Sequence, residues 1–278
     1  MEFKLNGETK TYDGDGDLLL MTYLREHEGV TTVKDGCSGQ ASCGACTVDM
    51  DGKSKLSCAT KMSKVDGTAI TTTDGLSEYR QEVYANAFVE KGGVQCGFCI
   101  PGIVMRADTL INKNGEPTEA DIVKSLTPHL CRCTGYKKII ESVQYAADAI
   151  REDERIEKPT SNGRIGTRTP KYDAQDLVLG FHDYTDDLRL ENMKHGALRY
   201  SDHPRAKLLS LDTSAAEAVE GVIRVLTAAD VPGDRTIGLI RQDWPVMVAI
   251  GETTNYVGDV IASVVAETEA IARAVVAL

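Results

Sequence analysis

Most of the chemistry this 278-residue chain can do rests on eight cysteines. They fall into two quartets: Cys37, Cys43, Cys46 and Cys58, then Cys96, Cys99, Cys131 and Cys133. Four thiolates in one place suit a tetrahedral zinc ion or a [2Fe–2S] cluster. Disulfides explain them poorly, because Met1 to Asn6 carries charge where a secretory leader has its apolar core. Spacing separates the two metal readings. A zinc ribbon pairs two similar knuckles, whereas here three cysteines of the first quartet crowd one loop and the fourth lies well downstream. In the second quartet only Arg132 separates Cys131 from Cys133, which zinc knuckles rarely show. The spacing therefore favours two [2Fe–2S] sites over zinc or structural thiols. Gly36, Gly39 and Gly44 lie in the first loop, where a backbone wrapping an anionic group must turn its amides inward.

Elements to position these thiols can be read from the pattern. Residues 1–75 read as a β-rich unit. Phe3-Lys4-Leu5, the turn Asn6-Gly7 and Lys10-Thr11-Tyr12 form one hairpin, and 46–50, Asp51-Gly52 and 53–58 a second. Leu19, Leu20, Tyr23 and Leu24 have helical spacing, and Ala69 to Thr72 is a further strand. From 77 to 151 the period is helical throughout. One stripe is Tyr79, Val83, Ala87 and Phe88. Pro101 opens a second helix, Thr118 with Asp121 caps a third, and Ile140, Val143, Ala147 and Ile150 mark a fourth. Residues 151–163 are charged and then polar, a linker composition. Beyond it the chain reads as α/β, with strands at 208–212, 222–226 and 257–266, and helices at 214–219 and 268–278.

The first quartet resembles the plant-type ferredoxin pattern C-x4-C-x2-C…C, with five residues rather than four between Cys37 and Cys43. Gln95-Cys96-Gly97-Phe98-Cys99-Ile100-Pro101-Gly102, with Cys131-Arg132-Cys133-Thr134-Gly135-Tyr136 downstream, resembles the second cluster domain of the xanthine dehydrogenase and aldehyde oxidoreductase family of molybdenum hydroxylases. Gly36-Cys37 with Cys43-Gly44-Ala45-Cys46-Thr47-Val48 is similar to the family's first cluster loop. Asp212-Thr213-Ser214, Leu226-Thr227-Ala228-Ala229-Asp230 and Tyr256-Val257-Gly258-Asp259 resemble its α/β hammerhead region. The resemblance implies an α+β multidomain chain. A plant-type ferredoxin β-grasp domain would occupy 1–75 and a four-helix [2Fe–2S] bundle 76–151. A linker would occupy 152–169 and a partial hammerhead domain 170–278. The resemblance also implies that Cys37, Cys43, Cys46 and Cys58 ligate an outer cluster. Cys96, Cys99, Cys131 and Cys133 would ligate an inner one, with Gln95 and Cys133 against the pterin of a molybdopterin cofactor. No catalytic residue of the family matches within these 278 residues.

Composition excludes several other classes. The net charge of −11 and an aromatic content of 5% argue against nucleic acid as a partner. No apolar run approaches a membrane span. Asp13-Gly14-Asp15-Gly16-Asp17 fails the calcium-loop template, with Leu18 at the glycine position and Leu24 at the twelfth. His27, His129, His182, His195 and His203 make no metal-binding pair, and no nucleotide-binding or serine-hydrolase motif is present.

The expected function is therefore the iron–sulfur electron-transfer portion of a cytoplasmic molybdenum hydroxylase. Asp243-Trp244-Pro245-Val246-Met247 and Val231-Pro232-Gly233 lean towards xanthine-dehydrogenase-like members acting on a purine or other N-heterocycle, selenium-dependent ones included. The alternative is an aldehyde oxidoreductase. A stand-alone ferredoxin-like carrier and a zinc-stabilised interaction protein are the readings of other classes. Residues 151–169 are too few for a flavin domain, so no FAD is expected between the cluster domains and the hammerhead region. Electrons would pass to a separate flavoprotein or soluble acceptor. The helix at 268–278, with Ile271, Ala274, Val275 and Leu278 on one side, has no glycine cap. The chain is thus expected to continue past 278 into the domains that bind most of the molybdopterin, within an oligomeric assembly.

Overall fold

A computed structural model of the protein covers residues 1–278. The chain forms two compact units, Met1–Leu188 and Arg189–Leu278.

The first unit opens with the hairpin β1 (Glu2–Leu5) and β2 (Glu8–Thr11), in register Phe3 opposite Lys10. A single α turn, α1 (Leu20–Thr22), runs on as a π-helix over Tyr23–His27. The sequence period predicts one continuous helix here. The wider turn instead lets Tyr23 stack on His27, ring centroids 5.5 Å apart. Strands β3 (Thr47–Met50) and β4 (Lys53–Leu56) flank the Asp51-Gly52 turn, where both residues take positive φ, as a tight hairpin demands. Strand β5 (Ala69–Thr71) completes a sheet of order β2-β1-β5-β3-β4, parallel only between β1 and β5. Phe3, Leu5, Leu20, Leu24, Val48, Met62 and Ile70 fill its core.

Four helices come next: α2 (Glu78–Lys91), α3 (Ile100–Lys113), α4 (Glu119–Leu126) and α5 (Lys137–Glu152). Their ends carry the signals read from sequence. Ser77 caps α2, which stops at Gly92 in the left-handed region; Pro101 lies in the first turn of α3; Thr118 and Asp121 form a full capping box on α4. The buried stripe of α5 is Ile139, Val143, Ala146 and Ala147, so the expected Ile140 and Ile150 sit on its flank. A buried polar knot ties α2 to α3, where Asp108 accepts from the Tyr84 hydroxyl at 3.0 Å and from Arg80 at 2.9 Å.

A fifth helix, α6 (Ala174–Leu179), packs Ala174, Leu177 and Val178 into the same core. It lies in the stretch from 170 that the resemblance assigns to the hammerhead region. Residues 170–188 belong to the iron–sulfur unit because their apolar side chains are buried there.

The second unit is built on an antiparallel sheet of order β6-β10-β7: β6 (His195–Tyr200), β7 (Val222–Thr227) and β10 (Val260–Ala266). The single turn α7 (Ser214–Glu217), the two-residue ladder β8 (Thr236–Ile237) with β9 (Trp244–Pro245), and α8 (Glu269–Val275) complete it. One expected strand is absent here, and one strand present is not foreshadowed by the sequence. Residues 208–212 are not a strand: Leu208 exchanges hydrogen bonds with Glu252 and Gly251 of a facing loop. Strand β6 has no counterpart in the sequence pattern, because an exposed edge with Gly196 in it shows little alternation. On α8 it is Ala272 and Val275 that are buried, while Ala274 and Leu278 face solvent.

Candidate metal centres

The first quartet is assembled by a hairpin. Pairing of Thr47 with Leu56 brings the residues just outside the ladder, Cys46 and Ser57-Cys58, together. The Ser57 amide and hydroxyl both donate to the Cys46 carbonyl, at 3.2 and 2.9 Å. Cys46 and Cys58 are buried in the sheet core, and Cys37 and Cys43 complete the group from the loop. That loop uses left-handed backbone at Ser38, Gly39, Ala41 and Gly44. Gly36 has a different reason: a Cβ there would lie 2.8 Å from the Cys43 sulfur. Amides of Ala41, Ser42, Cys43 and Ala45 point at the sulfurs. The Ser42 amide, donating at 3.5 Å, pulls the Cys37 thiol down to about 7, and burial pushes Cys58 up to about 12.

The second quartet sits at helix ends. Cys99 sits at the N-terminus of α3, without a side-chain cap hydrogen bond, where a helix end favours negative charge. Cys131 and Cys133 lie on the turn before α5. The sulfurs meet in pairs, Cys96 with Cys133 at 3.6 Å and Cys99 with Cys131. In the first quartet Cys37 likewise faces Cys43, and Cys46 faces Cys58. Four thiols in each group supply the donor number that a [2Fe–2S] cluster needs. Burial raises the Cys96 and Cys99 thiols. Burial opposes ionisation of Cys131 too, but hydrogen bonds from the Thr134 hydroxyl and amide outweigh it and lower that thiol. The donor chemistry and the inward amides thus fit an anionic iron–sulfur group at both places. Gln95, predicted to serve the same region, donates to the Cys133 carbonyl at 3.1 Å.

Several residues around the thiols carry no sequence signal of their role. The Tyr136 hydroxyl accepts from the Cys131 amide at 2.8 Å and donates to the His129 carbonyl at 3.0 Å, pinning the turn. Left-handed backbone at Gly135 and Tyr136 makes that reach possible. His129 is wedged against Gly44 of the outer loop, where a Cβ would fall 2.7 Å from its Nδ1. Burial, with Arg106 beside it, pushes His129 down to about 3, so its ring is neutral. The Leu130 amide donates to the Cys43 carbonyl at 2.9 Å, and a Cβ on Gly102 would lie 2.5 Å from the Gly44 carbonyl. The two cysteine loops therefore meet backbone to backbone.

A ferredoxin-like sheet, a helical bundle and two thiol quartets define a two-cluster electron-transfer module. Comparison with known proteins agrees segment by segment. Residues 3–69 match the 2Fe-2S iron-sulfur cluster binding domain, 72–144 the [2Fe-2S] binding domain, and 179–278 the aldehyde oxidase and xanthine dehydrogenase a/b hammerhead domain. The aldehyde oxidoreductase of Megalodesulfovibrio gigas is 37% identical over 97% of this chain, which spans 32% of that protein. A solved structure of the aldehyde oxidoreductase from Desulfovibrio gigas superposes with a TM-score of 0.89 at 34% identity, covering 100% of this chain and 33% of that one. The nicotinate dehydrogenase small FeS subunit of Eubacterium barkeri is 38% identical over 53% of this chain and 94% of its own length. The chain belongs to the aldehyde oxidoreductase and xanthine dehydrogenase family of molybdenum hydroxylases. It is the iron–sulfur, electron-transfer portion of such an oxidoreductase, joined to hammerhead sequence. It spans about a third of the aldehyde oxidoreductase it matches.

Proposed function

We propose that Cys37, Cys43, Cys46 and Cys58 hold the outer [2Fe–2S] cluster, and that Cys96, Cys99, Cys131 and Cys133 hold the inner one. Gln95 and Cys133, joined by their hydrogen bond, would lie against the pterin of a molybdopterin cofactor bound mainly by other domains. When bound, the clusters supply one-electron carriers between that cofactor and an acceptor. The chain's own residues keep those carriers close and shielded. Thr134 and the loop amides hold the thiolates in place, Tyr136 ties the inner turn, and Gly44, Gly102 and His129 close the gap between the loops.

The substrate reading shifts from the sequence-based one, which favours a purine or other N-heterocycle. Relatives that share the hammerhead as well as both cluster domains are named aldehyde oxidoreductases, so we infer an aldehyde as substrate class. The observation that carries this is similarity over nearly the whole chain, hammerhead included. A free-standing ferredoxin-like carrier gives no account of residues 179–278. We further propose that the domains run 1–75 and 76–151, then a linker over 152–169 and hammerhead sequence from 170, whose first stretch to Leu188 packs with the iron–sulfur unit. Electrons would leave to a separate flavoprotein or soluble acceptor in the cytoplasm, a reducing compartment in which thiolate ligands are kept from disulfide formation. No helix is long and apolar enough to cross a membrane.

The test is to purify the native enzyme through this chain and add candidate substrates without air. An aldehyde should bleach the visible absorption of both clusters within the mixing time, and hypoxanthine should not. Bleaching by purines and not by aldehydes would restore the heterocycle reading.

A further inference from the structure

The last segment of the first unit returns across the inner cysteine turn. Three contacts define its course. Leu177 of α6 presses on Gly97, where a Cβ would lie 2.7 Å from Leu177 Cβ and Cδ2, and φ is +84°. The Tyr184 hydroxyl donates to the Cys96 carbonyl at 2.5 Å and stands 3.0 Å from that same Gly97 position. The Tyr184 ring meets Phe98 edge to face, centroids 5.1 Å apart. Tyr184 thus touches Cys96, Gly97 and Phe98 together, in a turn whose ends are two proposed ligands.

Tyr184 is itself held from the outer domain. Its amide donates to Asp187 at 3.0 Å, and the Lys34 ammonium lies 4.9 Å from its ring centroid. Lys34 and Asp187 form a buried pair at 2.9 Å, their side chains only 1% and 2% exposed. Arg25 adds a second contact to Asp187 at 2.8 Å. Two buried cations from the outer domain therefore grip a carboxylate three residues beyond Tyr184. Such pairs specify one geometry better than they add stability.

We propose that Tyr184 is a positioning residue for the inner cluster, with 174–188 acting as a strap that fixes the turn 96–99. This rests on the reading that Cys96, Cys99, Cys131 and Cys133 ligate a cluster. The turn closes through the Ile100 amide, which donates to the Gly97 carbonyl at 3.1 Å, so its orientation sets how the amides of 97–100 face the Cys96 and Cys99 thiolates. Hydrogen bonds to cluster sulfurs stabilise the more negative, reduced state and raise its potential. Without the Tyr184 hydroxyl the turn relaxes, and the inner potential falls while the outer one stays.

The experiment is redox titration of the native enzyme, monitored by the electron paramagnetic resonance signals of both reduced clusters, in wild type, Tyr184→Phe and Asp187→Asn. Tyr184→Phe keeps the ring and loses only the hydroxyl. The expected result is about a fivefold to tenfold shift of a single electron away from the inner cluster, tenfold being about 59 mV. The inner signal alone should change shape, and Asp187→Asn should shift the same cluster in the same direction. Unchanged potentials in Tyr184→Phe, or equal shifts of both clusters, would overturn the proposal. A wild-type enzyme without two [2Fe–2S] signals would instead overturn the ligand assignment beneath it.

Discussion

Cys131 does two jobs at once. It is a proposed ligand, and it is 8% exposed within the helical core beside Ile103, Ile139 and Val143. Short helices gain little stability alone, so ligation joining the start of α3 to the turn before α5 would supply part of the bundle's stability. Cys131→Ser should abolish one cluster signal and also lower the melting temperature of the helical signal by several degrees, on the order of 1–2 kcal/mol. Loss of the signal with unchanged melting would separate ligation from folding. Glycine makes a second residue-scale point. Gly102→Ala places a methyl 2.5 Å from the Gly44 carbonyl, against backbone that cannot yield. It should cost about 1–3 kcal/mol in urea unfolding, as overpacking does. Gly115→Ala, with nothing within 4 Å, serves as the control and should be near neutral.

Among elements, the strap 174–188 has an acid-sensitive latch. Burial would raise the Asp187 carboxyl, but hydrogen bonds from Lys34, the Tyr184 amide and Arg25 outweigh it and hold the pKa below the ordinary carboxylate value. A carboxyl that ionises more readily when folded stabilises the fold fully above its unfolded-state pKa. The contribution is lost as pH falls through the lower folded value, so docking should weaken only below about pH 4. Hydrogen exchange in residues 174–188 should accelerate there ahead of the helical core. Asp187→Ala should remove that pH response and cost about 3–5 kcal/mol at neutral pH, because Lys34 is left buried without its partner. An unaltered pH response in this variant would assign the latch to another group. The strap is hidden in the sequence because its buried stripe is a single short helix, six residues in α6, between polar runs that look like linker.

At the scale of the whole molecule, the two iron–sulfur domains behave as one unit because their loops touch at Gly44, Gly102 and Leu130. The two quartets set the metal content. The purified chain should carry about four iron and four acid-labile sulfide, two of each per cluster. Stoichiometric zinc in a colourless preparation would defeat the assignment. Flavin should stay well below one equivalent per chain, since nothing between α5 and α6 is long enough to fold around it. One bound flavin per chain, measured after denaturation, would contradict a separate acceptor.

Both cysteine quartets, the two hairpins with their turn dipeptides, and the capped helices were legible in the amino-acid sequence. Each of these depends on residue type at short spacing: a thiol for iron, a left-handed residue for a turn, a hydroxyl or carboxylate for a cap. The hammerhead was legible by resemblance, but its strands were only partly so, since an exposed edge such as β6 lacks the alternation that burial imposes. Tertiary structure alone decided the rest. It turned the second half of the first helix into a π-helix, packed residues 174–188 into the compact unit of the iron–sulfur domains, and chose Ile139 over Ile140 for the core. It also brought Lys34 to Asp187, His129 to Gly44 and Tyr184 to Cys96, pairs separated by up to 153 residues. Such meetings leave no local pattern, because what selects them is the space and charge that distant elements present once they have packed.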